Sequence, residues 1–188
     1  MHWADFAAQT LSQRGNKHII ASGITPSGEF HIGHLREILT GDMVTRACKD
    51  AGMDAEFVFI VDSADPLRKV YPFLSDSYEQ YIGCALATIP APDENGNPGN
   101  DGRSYAEHFL EPFLAALEQI DVRPRIIDNY TSYANGEFAE KSRIACEKAH
   151  EIREIIERVS SRELAADWFP YNPYGHNGSL DGVTVTGF

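Results

Sequence analysis

The sequence predicts an α/β fold with a parallel sheet at its core. Three observations carry that expectation. Short apolar runs, "HIIASG", "AEFVFIVD" and "PRIIDN", each close on a glycine or a polar residue, as buried strands do. The segments between them repeat apolar residues at three- and four-residue steps, as helices do. The first two runs, with the helix between them, fill about 45 residues, the size of a βαβ unit.

The elements follow in order. Phe6, Ala7 and Leu11 are spaced as one face of a short amphipathic helix. His18–Gly23 is the first buried strand. A loop follows, then a helix from Ile32 to Ala51 with Ile32, Leu35, Leu39, Met43 and Ala47 on one face. Gly52 ends that helix, and Ala55–Asp62 is the second buried strand. From Asp65 to Leu86 the chain is irregular and aromatic; Tyr71, Phe73, Tyr78 and Tyr81 read as core before they read as a stacking platform. Residues 89–104, "IPAPDENGNPGNDGRS", are polar and rich in Pro and Gly, with no core-forming residue, and are expected to be the mobile segment. A helix from Tyr105 to Gln119 and a third strand at Pro124–Asn129 come next. Glu137–Val159 reads as one long amphipathic helix, apolar at Phe138, Ile144, Ala145, Ala149, Ile152, Ile156 and Val159. The remainder of the tail, residues 137–188, closes in turns with room for one more strand.

At 188 residues and 43% hydrophobic content, the chain can bury one core, with room for a small appended lobe. No stretch approaches eighteen unbroken apolar residues, which excludes a membrane-spanning helix, and the N-terminus lacks the basic-then-apolar order of a signal peptide. Cys48, Cys84 and Cys146 have no CxxC spacing and read as small buried hydrophobes, fitting a cytoplasmic protein better than a disulfide frame. The net charge of −12, from 16 basic and 28 acidic residues, makes the chain alone a poor binder of nucleic acid and suits a cationic small ligand.

Ligands of open α/β sheets sit beyond the carboxyl ends of the strands, and "GITPSGEFHIGHLREILTGD", Gly23–Asp42, lies at that address. A helix entrance offers unpaired N–H groups and a positive dipole end, a site for anions. Gly28 and Gly33 remove side chains where a flat ring or a phosphate would approach the backbone. His31 and His34, three apart, project from the same side of the first turn, and Glu37 is expected one turn further along that side. Two imidazole donors there could stabilise charge on phosphate oxygens. His31, His34 and Glu37 could also hold a metal, although zinc helices favour histidines four apart.

"PSGEFHIGHLRE" resembles the HIGH motif of class I aminoacyl-tRNA synthetases. The longer run "ASGITPSGEFHIGHLREILTGDMV", with "DPLRKVYPFL" and "SYAEHF", is similar to class I lysyl-tRNA synthetases, from "HWADFAAQTL" to "DWFPYNP". The resemblance implies an incomplete Rossmann-like nucleotide-binding fold, with residues 1–188 as the N-terminal portion of the catalytic domain. It implies ATP, with its Mg2+, activating lysine to lysyl-adenylate, followed by transfer to tRNA(Lys). His31 and His34 match the motif histidines, which would contact the ATP phosphates and carry the catalysis. Thr25, Pro26, Ser27, Gly28 and Gly33 match the rest of the ATP site. By the same resemblance Gly23, Glu37 and Asp62 would be the lysine-binding residues, Glu37 being placed for the side-chain amine.

The sequence departs from that family in two ways. None of its five lysines, Lys17, Lys49, Lys69, Lys141 and Lys148, lies in a KMSKS-like loop, and these residues are expected to stop short of that loop and of an anticodon-binding domain. The chain is therefore expected to be a fragment or a truncated relative with little or no turnover and weak tRNA binding. In the second, "NDGRSYAEHF" and "YNPYGHNGSLDG" lack the cysteines of the family's zinc sites, leaving His108 and His176, so no zinc is expected. Asp62 and Asp65 are equally readable as ligand groups or as turn and cap residues; Arg68 and Lys69 read as surface partners before phosphate ligands, and His108 as a packed histidine. A stand-alone HxGH nucleotidyltransferase and a non-catalytic lysine- or adenylate-binding regulator are the alternatives. The long apolar face of 138–159, if exposed, would favour self-association.

Overall fold

The computed structural model describes residues 2–187, in the order α1 (Trp3–Ser12), β1 (Lys17–Ile24), α2 (Ile32–Asp50), β2 (Asp54–Val61), a 3₁₀ turn (Asp76–Tyr81), α3 (Tyr105–Gln119), β3 (Arg125–Asp128), α4 (Asn129–Ala134), α5 (Ala139–Glu147) and α6 (Ala149–Ser160). The sheet has three parallel strands in the order β1-β2-β3. Ile24 pairs with Val61 and Val61 with Asp128, so the three carboxyl ends stand level and their loops leave from one edge. The expected α/β fold on a parallel sheet is what the chain adopts.

β2 is central, and its Phe57, Phe59 and Val61, alternating along one face, pack with Ile24, Ile38, Phe113 and Leu117. β1 is an edge strand, and this corrects its reading as a buried one. Its residues alternate between half-buried and exposed, with Ile19 62% exposed, because α2 covers only one of its faces.

The packing face of α2 is corrected in part: Leu35, Leu39 and Ala47 pack inward as expected, but Ile32 and Met43 do not. Ile32 is 78% and Met43 37% exposed, whereas Ile38, Gly41, Thr45, Ala47 and Cys48 are buried. The helix meets the sheet through its smallest residue: a Cβ on Gly41 would lie 2.4 Å from Cε2 of Phe57. Thr45 tolerates burial because its hydroxyl donates back to the Gly41 carbonyl at 2.8 Å. In α1 the buried residues are Ala4 and Ala8, while Phe6 is 66% exposed, so the close packing on Ala47 and Cys48 selects alanines rather than the largest side chain.

The irregular segment after β2 has its own core. Leu67, Tyr78, Leu86 and Ile89 pack on Tyr105 and Phe109 of α3, and Phe30 joins this cluster to the sheet core. Ile89 and Ala91 are buried, which corrects the reading of 89–104 as lacking core residues. Backbone bridges at Pro90–Ser104 and Pro92–Pro98 fold this segment on itself, and the Ser75 amide donates to the Gly96 carbonyl at 2.9 Å.

The expected long helix over 137–159 is two helices, broken where Lys148 (φ −104, ψ 20) leaves helical geometry. No residue of α6 is buried; Ile155 is 50% and Val159 76% exposed. α4, which begins as β3 ends, is an element that the periodicity did not show. Among the described residues the tail after Ser160 forms no strand, only turns and an isolated bridge from Ser179 to Cys84. The three cysteines are free and buried, as expected. No helix among the described residues is long and apolar enough to cross a membrane.

Candidate active site

The loop from Thr25 to Phe30 is held at both ends. The Thr25 hydroxyl donates to Asp65 at 2.9 Å, the Ser27 amide returns to the Thr25 carbonyl at 2.8 Å, and Pro26 is fully buried. Tyr105, at the start of α3, donates its hydroxyl to the Ser27 carbonyl at 2.8 Å. The Phe30 ring stacks on Phe113 with centroids 4.3 Å apart. Loop and helix entrance are thereby fixed to α3 as well as to the sheet.

His31 is the N-cap of α2, in extended geometry. Its Nδ1 accepts the Gly33 amide at 3.0 Å, and Nδ1 of His34 accepts the His31 amide at 3.0 Å. The rings stack at 3.9 Å. A neutral imidazole carries one proton, so each ring that accepts at Nδ1 holds its hydrogen on Nε2. Burial pulls the His34 pKa below its usual value, the neighbouring His31 adds to the fall, and Glu37 opposes it. Gly33 is required here, since a Cβ would lie 2.8 Å from Cε1 of His31 and unseat the cap.

A cleft of ≈ 800 Å³ opens beside this helix entrance. Thr25, Ser27, Gly28, Glu29, His31 and His34 line one side, Tyr71 and Phe73 another, and residues 93–96 with His108 and Phe109 complete it. Gly28 is closed over by Phe73, whose ring edge would stand 3.4 Å from a Cβ. Tyr71 thus lines the cleft as well as packing on the core, whereas Phe73, 46% exposed and edge-on to Phe109, lines the cleft only, which corrects its reading as core.

Glu37 lies elsewhere. It accepts the Ser22 hydroxyl at 2.8 Å and lines a separate depression of ≈ 390 Å³ with Arg36 and Thr40. The expectation that it continues the His31 side is corrected by helix geometry: six residues at about 100° each turn Glu37 some 240° away from His31. It is three residues from His34 and faces the end of β1. Gly23 stands beside Asp62, whose Oδ2 would lie 3.7 Å from a Cβ there. Ser22 and Gly23 point to opposite faces of the sheet, so Glu37 and Asp62 flank the end of β1 from two sides.

Asp62 belongs to a polar network across the strand ends. Its Oδ1 accepts Asn129 Nδ2 at 2.8 Å, and Asn129 Oδ1 accepts the Ala64 amide at 2.9 Å. Burial raises the Asp62 pKa, and the nearby Asp65 carboxylate raises it further. Ser63 donates to Asp128, which also caps α4 by accepting the Thr131 amide at 2.8 Å. Asn129, Asp128, Ser63 and Tyr105 were not singled out in the sequence. The strand-end position of "DN" in "PRIIDN" was the signal for the first two; for Tyr105 there was none. Arg68 pairs with Asp65 at 3.4 Å on the surface, as expected, and Lys69 sits 5.5 Å from the Tyr71 ring. His108 packs edge-on against Phe109 but also lines the cleft, and its buried Nδ1 has no hydrogen-bond partner among the described residues.

Parallel strands ending level, with a glycine-bearing loop feeding a helix N-terminus, form an α/β unit whose cleft lies beyond the carboxyl ends of its strands, the usual place for a ligand in this class of fold. The family model for class I tRNA synthetases (K) matches residues 1–188, and the chain belongs to that family. It is 43% identical over 189 aligned residues to a lysine–tRNA ligase of Methanosarcina barkeri, covering the whole chain but 34% of that protein. A lysine–tRNA ligase of Archaeoglobus fulgidus is likewise 43% identical, again over the whole chain and 37% of its own length. That of Methanocaldococcus jannaschii is 42% identical over 92% of the chain and 32% of its length. The chain thus spans about a third of the length of these curated relatives.

Proposed function

We propose that the chain carries the HIGH-motif half of an active site that activates lysine with ATP, for transfer of the lysyl group to tRNA(Lys) by the whole protein. One observation carries this reading: the stacked His31–His34 pair, each ring accepting a backbone amide at Nδ1, offers two Nε2–H donors at a helix N-terminus. Such donors suit phosphate oxygens that gain charge as the lysine carboxylate attacks the α-phosphorus and pyrophosphate leaves. Because the caps fix the rings before substrate arrives, little reorganisation is needed at the moment of reaction.

The ATP phosphates would lie beside His31, His34 and Gly28, with Thr25 and Ser27 on the wall, the buried Pro26 behind it and Gly33 holding the His31 cap. Lysine would occupy the end of β1, where Gly23 leaves room and Glu37 and Asp62 supply acidic groups for its ammonium groups. Among the described residues, no three His, Cys, Asp or Glu side chains converge as a metal set, so Mg2+ would arrive with ATP rather than in a protein cage.

Calorimetry with a sulfamoyl mimic of lysyl-adenylate tests the reading. The mimic should bind more tightly than lysine or ATP alone, because it joins both subsites. A folded chain with no heat of binding at millimolar ligand would overturn it.

A further inference from the structure

We infer that Tyr105 is a positioning residue for the nucleotide, acting through the Ser27–Gly28 peptide, whose N–H it aims as a phosphate donor. The inference rests on the proposed ATP site and adds to it a backbone donor.

Tyr105 is fully buried, and its hydroxyl donates to the Ser27 carbonyl at 2.8 Å. The described residues contain no cis peptide bond. In a trans peptide the carbonyl of one residue and the N–H of the next point in opposite directions across a rigid plane. Fixing the Ser27 carbonyl toward α3 therefore turns the Gly28 N–H away from α3. Gly28 lines the cleft that His31 and His34 share, and its N–H has no acceptor among the described residues. The amides of Ser27, His31 and Gly33 are committed, to Thr25, His34 and His31, whereas those of Glu29 and Phe30, like that of Gly28, have no acceptor among the described residues; of these three only the Gly28 N–H belongs to the peptide that Tyr105 holds. Gly28 thus holds an uncommitted donor beside the two Nε2–H groups. An unbound N–H facing an anion site is worth most when the peptide cannot rotate, which is what the tyrosine provides.

A neighbouring residue supplies the control. Tyr78 is fully buried in the same aromatic cluster and donates its hydroxyl to a backbone carbonyl, that of Pro90, at 2.8 Å. Tyr105→Phe and Tyr78→Phe each remove one buried hydroxyl and keep the ring, but only the first releases the Ser27–Gly28 peptide.

The experiment titrates the 15N-labelled chain with ATP and, separately, with adenosine, following the Gly28 amide and the dissociation constants. In the wild type, ATP should move the Gly28 amide strongly and adenosine should not. Tyr105→Phe should weaken ATP binding about tenfold, the effect of misdirecting one charge-assisted hydrogen bond, and leave adenosine within about twofold. Tyr78→Phe should leave both ligands unchanged. ATP binding with an unmoved Gly28 amide overturns the inference alone, as does an equal loss for both ligands or an equal ATP loss in Tyr78→Phe. A wild-type chain that binds no ATP overturns the nucleotide reading together with it.

Discussion

His31 and His34 together cap the start of α2: His34 accepts the amide of His31 at 3.0 Å, and the two rings stack at 3.9 Å. The pair therefore performs a stabilising task and a chemical one with different nitrogens. Nδ1 closes the helix start, leaving Nε2 for a ligand.

That division makes His34→Gln informative. Glutamine is the usual third-position partner of a capping box and can accept the His31 amide through its side-chain oxygen. At pH 7.5 the variant should keep its stability within about 0.5 kcal/mol, inside the range of a retained cap. It keeps donors on its amide Nε2, but these sit where the flexible side chain puts them rather than where the stacked imidazole holds its Nε2–H, so ATP affinity should fall. The pH dependence should also change. His34 has a folded pKa below its unfolded value, so the unfolded chain binds more protons between the two. Its contribution to stability is full above the unfolded pKa and is lost as pH falls through the folded one. Urea titrations from pH 7.5 to 5 should show the wild type losing more stability than His34→Gln. Parallel curves would mean that His34 does not titrate in the cap.

Glu37 and the histidines occupy different depressions, so their ligands should separate. Glu37→Gln is expected to weaken lysine binding about tenfold to a hundredfold, the worth of one charge-assisted hydrogen bond, with ATP binding unchanged. Calorimetry with each ligand decides it. Equal losses would mean that Glu37, through Ser22, supports the end of β1 rather than the substrate.

Gly41 tests the corrected helix face. Alanine is the better helix former by about 0.8–1 kcal/mol, and on an exposed face Gly41→Ala would stabilise. Here the added Cβ would stand 2.4 Å from a Phe57 ring atom in the central strand, and overpacking of this kind costs about 1–3 kcal/mol. Denaturant unfolding should therefore show a net loss. A gain would mean that the ring shifts freely and that the sheet contact is loose.

The packing phase of α2 shows where sequence reading stops. Periodicity located the helix to within a residue and found Leu35 and Leu39, which pack on the sheet core, but it passed over the buried Ile38, Gly41 and Thr45 and included the exposed Ile32. The strand at Lys17–Ile24 was legible as apolar, but which of its faces is covered depends on sheet order, which no local window contains. The break at Lys148 carries neither Gly nor Pro, so no local residue announces it. The site divides in the same way. HIGH-motif spacing and a helix entrance were visible in residues 23–42, because cap, glycine and histidines are neighbours in sequence. Tyr105 reaches Ser27 across 78 residues and Asn129 reaches Asp62 across 67, and partnerships of that range arise only from the topology.

Turnover sets motif against composition. His31 and His34 argue for adenylate chemistry, but none of the five lysines in these 188 residues lies in a KMSKS-like loop, which would place cations on the leaving pyrophosphate. Losing one preorganised electrostatic donor commonly costs about a hundredfold to a thousandfold in rate, and at least two are missing here. If the losses multiply, lysine-dependent pyrophosphate exchange by these residues alone should fall at least ~10⁴-fold below that of a full-length relative. Charging should be weaker still, since a net charge of −12 opposes tRNA binding. The assay compares the chain with its His31→Ala/His34→Ala variant, which supplies the blank. Near-normal exchange that the double substitution abolishes would mean that these residues hold a second phosphate clamp of their own. The cations for it would then have to come from Arg36, Arg68 or Lys69, the basic side chains nearest in sequence to the loop and to the second strand's end. Of these, Arg68 has only an exposed 3.4 Å pairing with Asp65 to give up. Arg68→Ala would then remove the exchange, whereas on the present reading it leaves the residual rate unchanged.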